Sequence, residues 1–402
     1  MSATLALTDP KSVGLSPEGL ARVDAMIGEQ IVAGQLAGAV VLVARHGKVA
    51  HLKAMGLKNI ADGEPLATDS IFAIFSMTKP ITAAAMMVLY DRGLWAPDDP
   101  IAKHLPEFAE VRGPEGAALD HPPTLRELMT HTAGFGYAIG LGPHDATDAG
   151  YIAAEVWQAD SLAEMARRVA SVPLAYQPGT SFRYSLSMDL QGAIIEKLSG
   201  QSLPDFMRET LFEPLGMVDT DFYVPAAKLP RLTTLYHMYF GVTELTVLDH
   251  PGFRRDGKVI PKLPSGGGGL YSTATDYARF AQMLLNKGEL DGVRVIQPAS
   301  VALMTTNALP RSLIDHGFIA GAQRVGPGRG YAFNGAVFMD PKAAGSPVGR
   351  GTYQWDGAAG TWFWIDPEHD LLFVGLISRM MQEGMTPWQA LTQQLIGEAL
   401  LG

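Results

Sequence analysis

The chain has 402 residues, 47% apolar and 18% charged, which indicates a globular protein with a large core and argues against intrinsic disorder. The formal net charge is −10 and Lys and Arg form no block, so we expect no nucleic-acid partner and no membrane partner. The absence of cysteine excludes disulfides, thiolate metal sites and cysteine nucleophiles.

The N-terminal segment lacks the basic stretch and apolar run of a secretory signal, and no window holds about 18 uninterrupted apolar residues. We therefore expect a soluble, cytoplasmic protein that acts on a small molecule. Assembly into a homo-oligomer is left open by the sequence.

The predicted elements alternate between helices and short strands. Helical periodicity predicts a first helix over residues 16–32, and apolar runs at 39–44 and 49–55 around a Gly-containing turn predict a β-hairpin. Further helices are predicted at 76–93, 125–129, 188–197, 274–285 and 386–400, and further strands at 336–339, 360–365 and 371–377. The four glycines at 266–269 predict unusual backbone angles or close packing.

Strands near both ends of the chain can join one antiparallel sheet. This predicts an α/β (α+β) fold with a sheet flanked by the N- and C-terminal helices. The chain is then a single catalytic domain over residues 1–402. Its α/β lobe covers about 1–70 and 260–402, and a mainly helical lobe covers about 71–259.

An S-x-x-K tetrad runs from Ser76 to Lys79 at the start of a predicted helix. Residues three apart lie on one helical face, so the amine of Lys79 can reach the hydroxyl of Ser76 and serve as its base. The N–H groups of the helix N-terminus favour developing negative charge. The tetrad alone is weak evidence, because a capping serine followed by a solvated lysine has the same pattern.

Two later segments offer matching chemistry. Tyr184 lies in a Pro/Gly-rich loop before a helix, where its hydroxyl can carry a proton between nucleophile and leaving group, although a packed tyrosine would look the same. The segment Trp355-Asp356-Gly357-Ala358 precedes a predicted strand. The N–H of Ala358 can form an oxyanion hole together with the N–H of Ser76, although a turn with a packing Trp is the simpler alternative.

In this order, the three elements resemble those of the serine β-lactamase and penicillin-binding-protein superfamily, most closely class C β-lactamases and family VIII carboxylesterases. Segments that also resemble this superfamily extend the likeness over nearly the whole chain; they are residues 91–94, 98–108, 125–134, 211–219 and 266–277. The resemblance implies a β-lactamase/transpeptidase-like fold. It also implies Ser76 as nucleophile, Lys79 as adjacent base and Tyr184 as the loop tyrosine.

The sequence departs from this superfamily at two polar anchors. Leu186 stands where the Y-x-N element has Asn, and Trp355 stands where the K-T-G element has Lys. Both changes leave an apolar pocket that suits a neutral ester better than a β-lactam. We predict that this pocket is lined by Trp355, Gly357, Tyr137, Phe135 and Leu186, and we assign Trp362 to the core.

The predicted function is therefore a serine esterase that hydrolyses carboxylic esters through an acyl-enzyme on Ser76, and the resemblance implies that the acyl chains are short. A class C-like β-lactamase, a D-amino-acid peptidase, an acyltransferase and a non-catalytic binder of the same fold remain alternatives. No G-x-S-x-G pentapeptide supports an ordinary α/β-hydrolase, and His131 is predicted to be a hydrogen-bonded framework residue. The histidines show no metal-ligand spacing, so neither a metal nor a cofactor is expected.

Overall fold

The computed structural model describes residues 5–138, 145–239, 241–249, 257–320, 323–381 and 385–401. The strands within these residues are β1 (Ala6–Leu7), β2 (Gly38–Arg45), β3 (Lys48–Asn59), β4 (Glu64–Pro65), β5 (Phe72–Ala73), β6 (Tyr236–His237), β7 (Thr246–Val247), β8 (Tyr271–Ser272), β9 (Glu289–Leu290), β10 (Val293–Arg294), β11 (Phe318–Ala320), β12 (Gln323–Val325), β13 (Arg329–Tyr331), β14 (Ala336–Phe338), β15 (Tyr353–Gly357), β16 (Thr361–Asp366) and β17 (Leu371–Ile377).

The α-helices in the same part of the chain are α1 (Pro17–Val32), α2 (Thr78–Asp91), α3 (Ile101–His104), α4 (Leu125–Met129), α5 (Ala146–Ala153), α6 (Leu162–Ala170), α7 (Ser187–Ser199), α8 (Leu203–Met207), α9 (Glu213–Leu215), α10 (Ala274–Leu285), α11 (Pro298–Thr305), α12 (Arg311–His316) and α13 (Trp388–Ala399). None of these helices is both long enough and apolar enough to cross a membrane.

One nine-stranded sheet joins both ends of the described chain. Its order is β1-β3-β2-β17-β16-β15-β14-β13, with β4 paired to β3. All pairs are antiparallel except β1 with β3. The N-terminal and C-terminal parts of the chain meet where β2 pairs with β17, in which Ala39 lies opposite Ile377. The predicted α/β fold is confirmed, while the lobe boundaries stay a prediction.

Both faces of the central strands are buried, which explains their nearly unbroken apolar sequences. Along β2, Val41 and Val43 pack into a core shared with α1 and α13, whereas Val40 and Leu42 face a larger core shared with α2, α7 and α10. The sheet is thus the middle of three layers, with α1 and α13 on one face and the helices that carry the candidate site on the other.

Most predicted elements are present with small shifts in their ends. Ser16 caps α1 by accepting a hydrogen bond from the N–H of Gly19, so the helix begins one residue after the predicted start. Helices α4 and α10 have the predicted bounds. The segment from Trp355 to Gly357 was expected to lie before a strand and instead forms the end of β15, paired with β16. The expected strand does follow it, as β16, and the finding that was not predicted is that the segment is itself a strand end that forms a hairpin with β16.

Candidate active site

Ser76 lies in a single 3-10 turn, Phe75–Met77, that continues directly into α2. Phe75 has a φ of 44°, a left-handed conformation that costs a non-glycine residue about 1–2 kcal/mol. The neighbouring Ile74 is held from two sides: its N–H donates to the Leu270 carbonyl at 3.0 Å, and its carbonyl accepts from the Thr361 hydroxyl at 3.1 Å. These tertiary contacts hold the strained turn in place and present Ser76 at the start of the helix.

Lys79 is fully buried, and its amine lies against the Ser76 hydroxyl. Its Nζ atom lies 3.0 Å from Ser76 Oγ, 2.6 Å from the Gly267 carbonyl oxygen and 3.4 Å from the Tyr137 hydroxyl. The ring centroid of Tyr184 lies 4.6 Å from the same Nζ. The spacing of the S-x-x-K tetrad therefore brings the two side chains together as the sequence predicts.

Tyr184 lies in the loop before α7, and its hydroxyl faces Ser76 and Trp355. Burial raises the pKa of Tyr184 well above its ordinary value near 10, and the nearby phenol of Tyr137 adds to this shift. Polar interaction with the Ser76 hydroxyl opposes the shift but is weaker. At neutral pH the Tyr184 phenol therefore holds its proton, ready to donate to an oxygen beside Ser76.

The glycine run at residues 266–269 packs against Lys79. Carbonyls from this run accept hydrogen bonds from Lys79 and from the Thr82 hydroxyl, the latter at 2.7 Å. A Cβ on Gly266 would lie 2.5 Å from the carbonyl oxygen of Met188, and one on Gly267 would lie 2.8 Å from Asp189 Oδ2. Close packing of the glycine run against α7 is therefore what requires glycine here.

The end of β15 lies beside the turn that carries Ser76. A Cβ on Gly357 would lie 2.3 Å from the Ile74 carbonyl oxygen, so only glycine allows the strand to come this close. Ala358 follows and packs against the cluster that contains Phe75. The arrangement brings Ala358 and Ser76 to the same edge of the site, and their joint role as an oxyanion hole stays a prediction.

The sequence profile of the Beta-lactamase family matches residues 23–394. The chain belongs to that family. Esterase EstB of Burkholderia gladioli is 33% identical over 95% of this chain and 96% of its own length. Protein Rv1367c of Mycobacterium tuberculosis is 37% identical over 88% of each chain. The solved structure of "EstCE1, a hydrolase with promiscuous acyltransferase activity" is 27% identical, with a TM-score of 0.78 over 96% of this chain and 99% of its own.

Within this Beta-lactamase family chain, two predicted pocket residues lie in the core. Phe135 is 1% exposed and packs edge-to-face on Phe108. Leu186 is 0% exposed at the start of α7. Both side chains are thus packed in the core, and their part in lining the pocket stays a prediction. Tyr137 is half-buried, and its hydroxyl lies at Lys79.

The side chain of Trp355 packs against the ring of Tyr184. Its indole is fully buried, with ring centroids 5.7 Å from Tyr184 and 5.4 Å from Tyr331. Its Nε1–H makes no hydrogen bond of good geometry to a described residue. The same N–H faces the phenol oxygen of Tyr184. Trp362 packs between Phe373 and Trp388 in the core under α13, as predicted.

His131 is a framework residue and does not contact Ser76 in the described structure. Its Nδ1 accepts from the Ser185 backbone N–H at 3.1 Å and lies 2.9 Å from the Ser185 hydroxyl. Burial, reinforced by the charge of Lys79, holds the His131 pKa well below its ordinary value near 6.5. The neutral ring packs 4.6 Å from Tyr184 and supports its orientation.

Sequence reasoning missed a buried polar pair that holds the backbone of Lys79. Asn334 has a φ of 58°, and its Nδ2 donates to the Lys79 carbonyl at 3.1 Å and to Gln191 Oε1 at 2.8 Å. Only a fold that brings the β13–β14 turn onto α2 and α7 makes this contact, so no local pattern signals it. Within the described residues, no cluster of His, Asp or Glu has the arrangement of a metal site.

Proposed function

We propose that this protein hydrolyses carboxylic esters, with short acyl chains preferred, through an acyl-enzyme on Ser76. The observation that supports this most directly is the nearness of two proton-transfer groups to Ser76 Oγ. The amine of Lys79 lies 3.0 Å away, and the protonated phenol of Tyr184 also interacts with the Ser76 hydroxyl. Such a pair can take the proton from the nucleophile and return it to a leaving alkoxide.

In the acylation half-reaction, Ser76 Oγ attacks the ester carbonyl while its proton passes to the Lys79 and Tyr184 pair. The N–H groups of Ser76 and Ala358 hold the oxyanion of the tetrahedral intermediate. Tyr184 then donates a proton to the alkoxide, the carbon–oxygen bond breaks and the alcohol leaves. The titrations of Lys79 and Tyr184 are coupled, because the two groups share this proton.

Deacylation repeats the sequence with water in place of the alcohol. The same pair takes a proton from water as its oxygen attacks the acyl-enzyme carbonyl, and the proton returns to Ser76 Oγ as the acid departs. No additional reactant is needed, so the overall reaction is the hydrolysis of one ester bond.

An ester is favoured over a β-lactam because the polar anchors are absent. Trp355 offers a buried aromatic ring where the superfamily's K-T-G has a cation, and Leu186 is apolar and buried. A neutral substrate requires neither the cation of K-T-G nor the carboxamide of Y-x-N. The 33% identity with an esterase over almost the full length of both chains points the same way.

The test compares hydrolysis of p-nitrophenyl acetate and butyrate with hydrolysis of nitrocefin. We expect fast ester turnover, slow or absent nitrocefin cleavage, and loss of both in Ser76→Ala. The exposed Ser171 supplies a matched control, since Ser171→Ala removes a hydroxyl that only bonds the Arg168 carbonyl. Nitrocefin turnover that rivals ester turnover would overturn the choice of substrate. Ester turnover that survives in Ser76→Ala would overturn the nucleophile.

Acyl transfer to an alcohol is a second candidate, because the structurally similar EstCE1 is a hydrolase with promiscuous acyltransferase activity. The acyl-enzyme would be the same, and an alcohol would replace water in the second step. Product analysis with and without an added alcohol distinguishes the two. A new ester that forms faster than free acid would favour the transferase, and free acid as the sole product would exclude it.

A further inference from the structure

The amine of Lys79 has more polar neighbours than a simple serine–lysine pair requires. Around Nζ, the described structure places the Ser76 hydroxyl, the Gly267 carbonyl and the Tyr137 hydroxyl. The Tyr184 ring faces the same atom with its π surface. A neutral amine has two N–H donors and one lone pair, so the direction of the lone pair depends on where the two N–H groups go.

For Lys79 to accept the Ser76 proton, its lone pair must point at Ser76 Oγ. Both N–H groups must then donate elsewhere. The Gly267 carbonyl, at 2.6 Å, is a pure acceptor and takes one of them. The Tyr137 oxygen, at 3.4 Å, is a second acceptor within reach.

We propose that Tyr137 is a positioning residue that takes the second N–H of neutral Lys79 and so directs the lone pair of the amine at Ser76. The inference rests on the proposed function, since it concerns the base of that same reaction. It assigns the two tyrosines different tasks. Tyr184 exchanges protons with Ser76 and the leaving group, whereas Tyr137 orients Lys79 and transfers no proton.

The backbone of Tyr137 is held for this task. Its N–H donates to Asp148 Oδ1 at 3.1 Å, and its carbonyl accepts from Trp157 Nε1 at 2.9 Å. The fully buried Asp148 also pairs with Arg183 at 2.8 Å, and Arg183 directly precedes Tyr184. One buried ion pair therefore ties the loop of Tyr137 to the loop of Tyr184 and fixes both phenols relative to Lys79.

The test measures the acylation burst of p-nitrophenol in Tyr137→Phe. This change removes one oxygen and keeps the ring that packs on Trp157 and Tyr184. We expect the acylation rate constant to fall about 10- to 100-fold, the effect of losing one hydrogen bond to a reacting group. The ester concentration that gives half of the maximal burst rate should stay within about twofold, because Tyr137→Phe keeps the ring that is predicted to line the pocket and removes only the oxygen that lies at Lys79.

Tyr90→Phe is the matched control. Tyr90 lies in α2 away from Lys79, and its ring packs on Trp95. This variant should leave the burst unchanged. An unchanged acylation rate in Tyr137→Phe would overturn the inference and leave the esterase intact, provided that Ser76→Ala is inactive. A higher half-saturating ester concentration, with no fall in the acylation rate constant, would assign Tyr137 to substrate binding instead. Thermal unfolding of each variant separates these outcomes from a loss of fold.

Discussion

Replacement of Asn334 by alanine tests the buried network that holds the backbone of Lys79. The Asn334 side chain makes three hydrogen bonds: its amide donates to the Lys79 carbonyl and to Gln191 Oε1, and its Oδ1 accepts from Gln191 Nε2 at 3.3 Å. Its backbone also has a φ of 58°, which asparagine tolerates better than alanine does. Asn334→Ala therefore loses the bonds and strains the turn.

The expected destabilisation follows from these contacts. Each buried hydrogen bond contributes about 1 kcal/mol net, and the left-handed conformation costs alanine about 1 kcal/mol more, so we expect a loss of about 4 kcal/mol. The entropy of unfolding is about 2.1 cal/mol/K per residue, so a chain of 402 residues should lose about 5 °C in its unfolding midpoint.

Differential scanning calorimetry of Asn334→Ala beside Asn286→Ala provides the measurement. Asn286 is exposed at the end of α10, and its removal should change the stability by about 0.5 kcal/mol or less. The double variant Asn334→Ala/Gln191→Met should lose less than the sum of the two single changes, because they share two hydrogen bonds. A midpoint for Asn334→Ala within about 1 °C of the Asn286 control would refute this account of the network.

Two further changes probe the glycine run and a buried acid. Gly267→Ala places a Cβ 2.8 Å from Asp189 Oδ2 and should lower ester turnover about 10- to 100-fold by moving the carbonyl that accepts from Lys79. Gly28→Ala, with open space around its Cβ in α1, should keep full turnover, and equal rates in both variants would contradict the packing argument. Burial raises the pKa of Asp276 from 3.8 to about 6. Protonation of Asp276 therefore contributes about 3 kcal/mol to the free energy of unfolding below about pH 4, and this contribution is lost as the pH rises through 6. Asp276→Asn should therefore flatten the fall in unfolding midpoint between pH 4 and 7, and an unchanged slope would show that Asp276 does not cause it.

The contact between Ser76 and Lys79 could be predicted because it is local. The spacing of Ser76 and Lys79 on one helix makes their contact a matter of helical geometry, and the tertiary fold only has to bury it. The central strands could be predicted for a similar reason, since apolar runs such as that of β17 must be buried in the core. The starts of α4 and α10 are also set locally, because a capping threonine directly precedes each helix.

The direction of a loop side chain could not be predicted, because it is not a local property. Phe135 and Tyr137 are two residues apart, yet one packs on Phe108 in the core and the other reaches Lys79. Leu186 follows the same segment as Tyr184 and turns inward to begin α7. Packing between helices decides these directions, and no alternation or spacing in the sequence encodes it.

The sequence by itself determined the family of the chain, the serine–lysine pair and the strands of the sheet, because each depends on residues close together along the chain or on apolar patterns that must be buried. The tertiary structure decided what surrounds Lys79. Gly267, Asn334 and Tyr137 lie 55 or more residues away in sequence from the lysine whose amine and carbonyl they hydrogen-bond. Such contacts arise only when separate helices and turns pack together, and that packing is what can turn a buried lysine into a directed base.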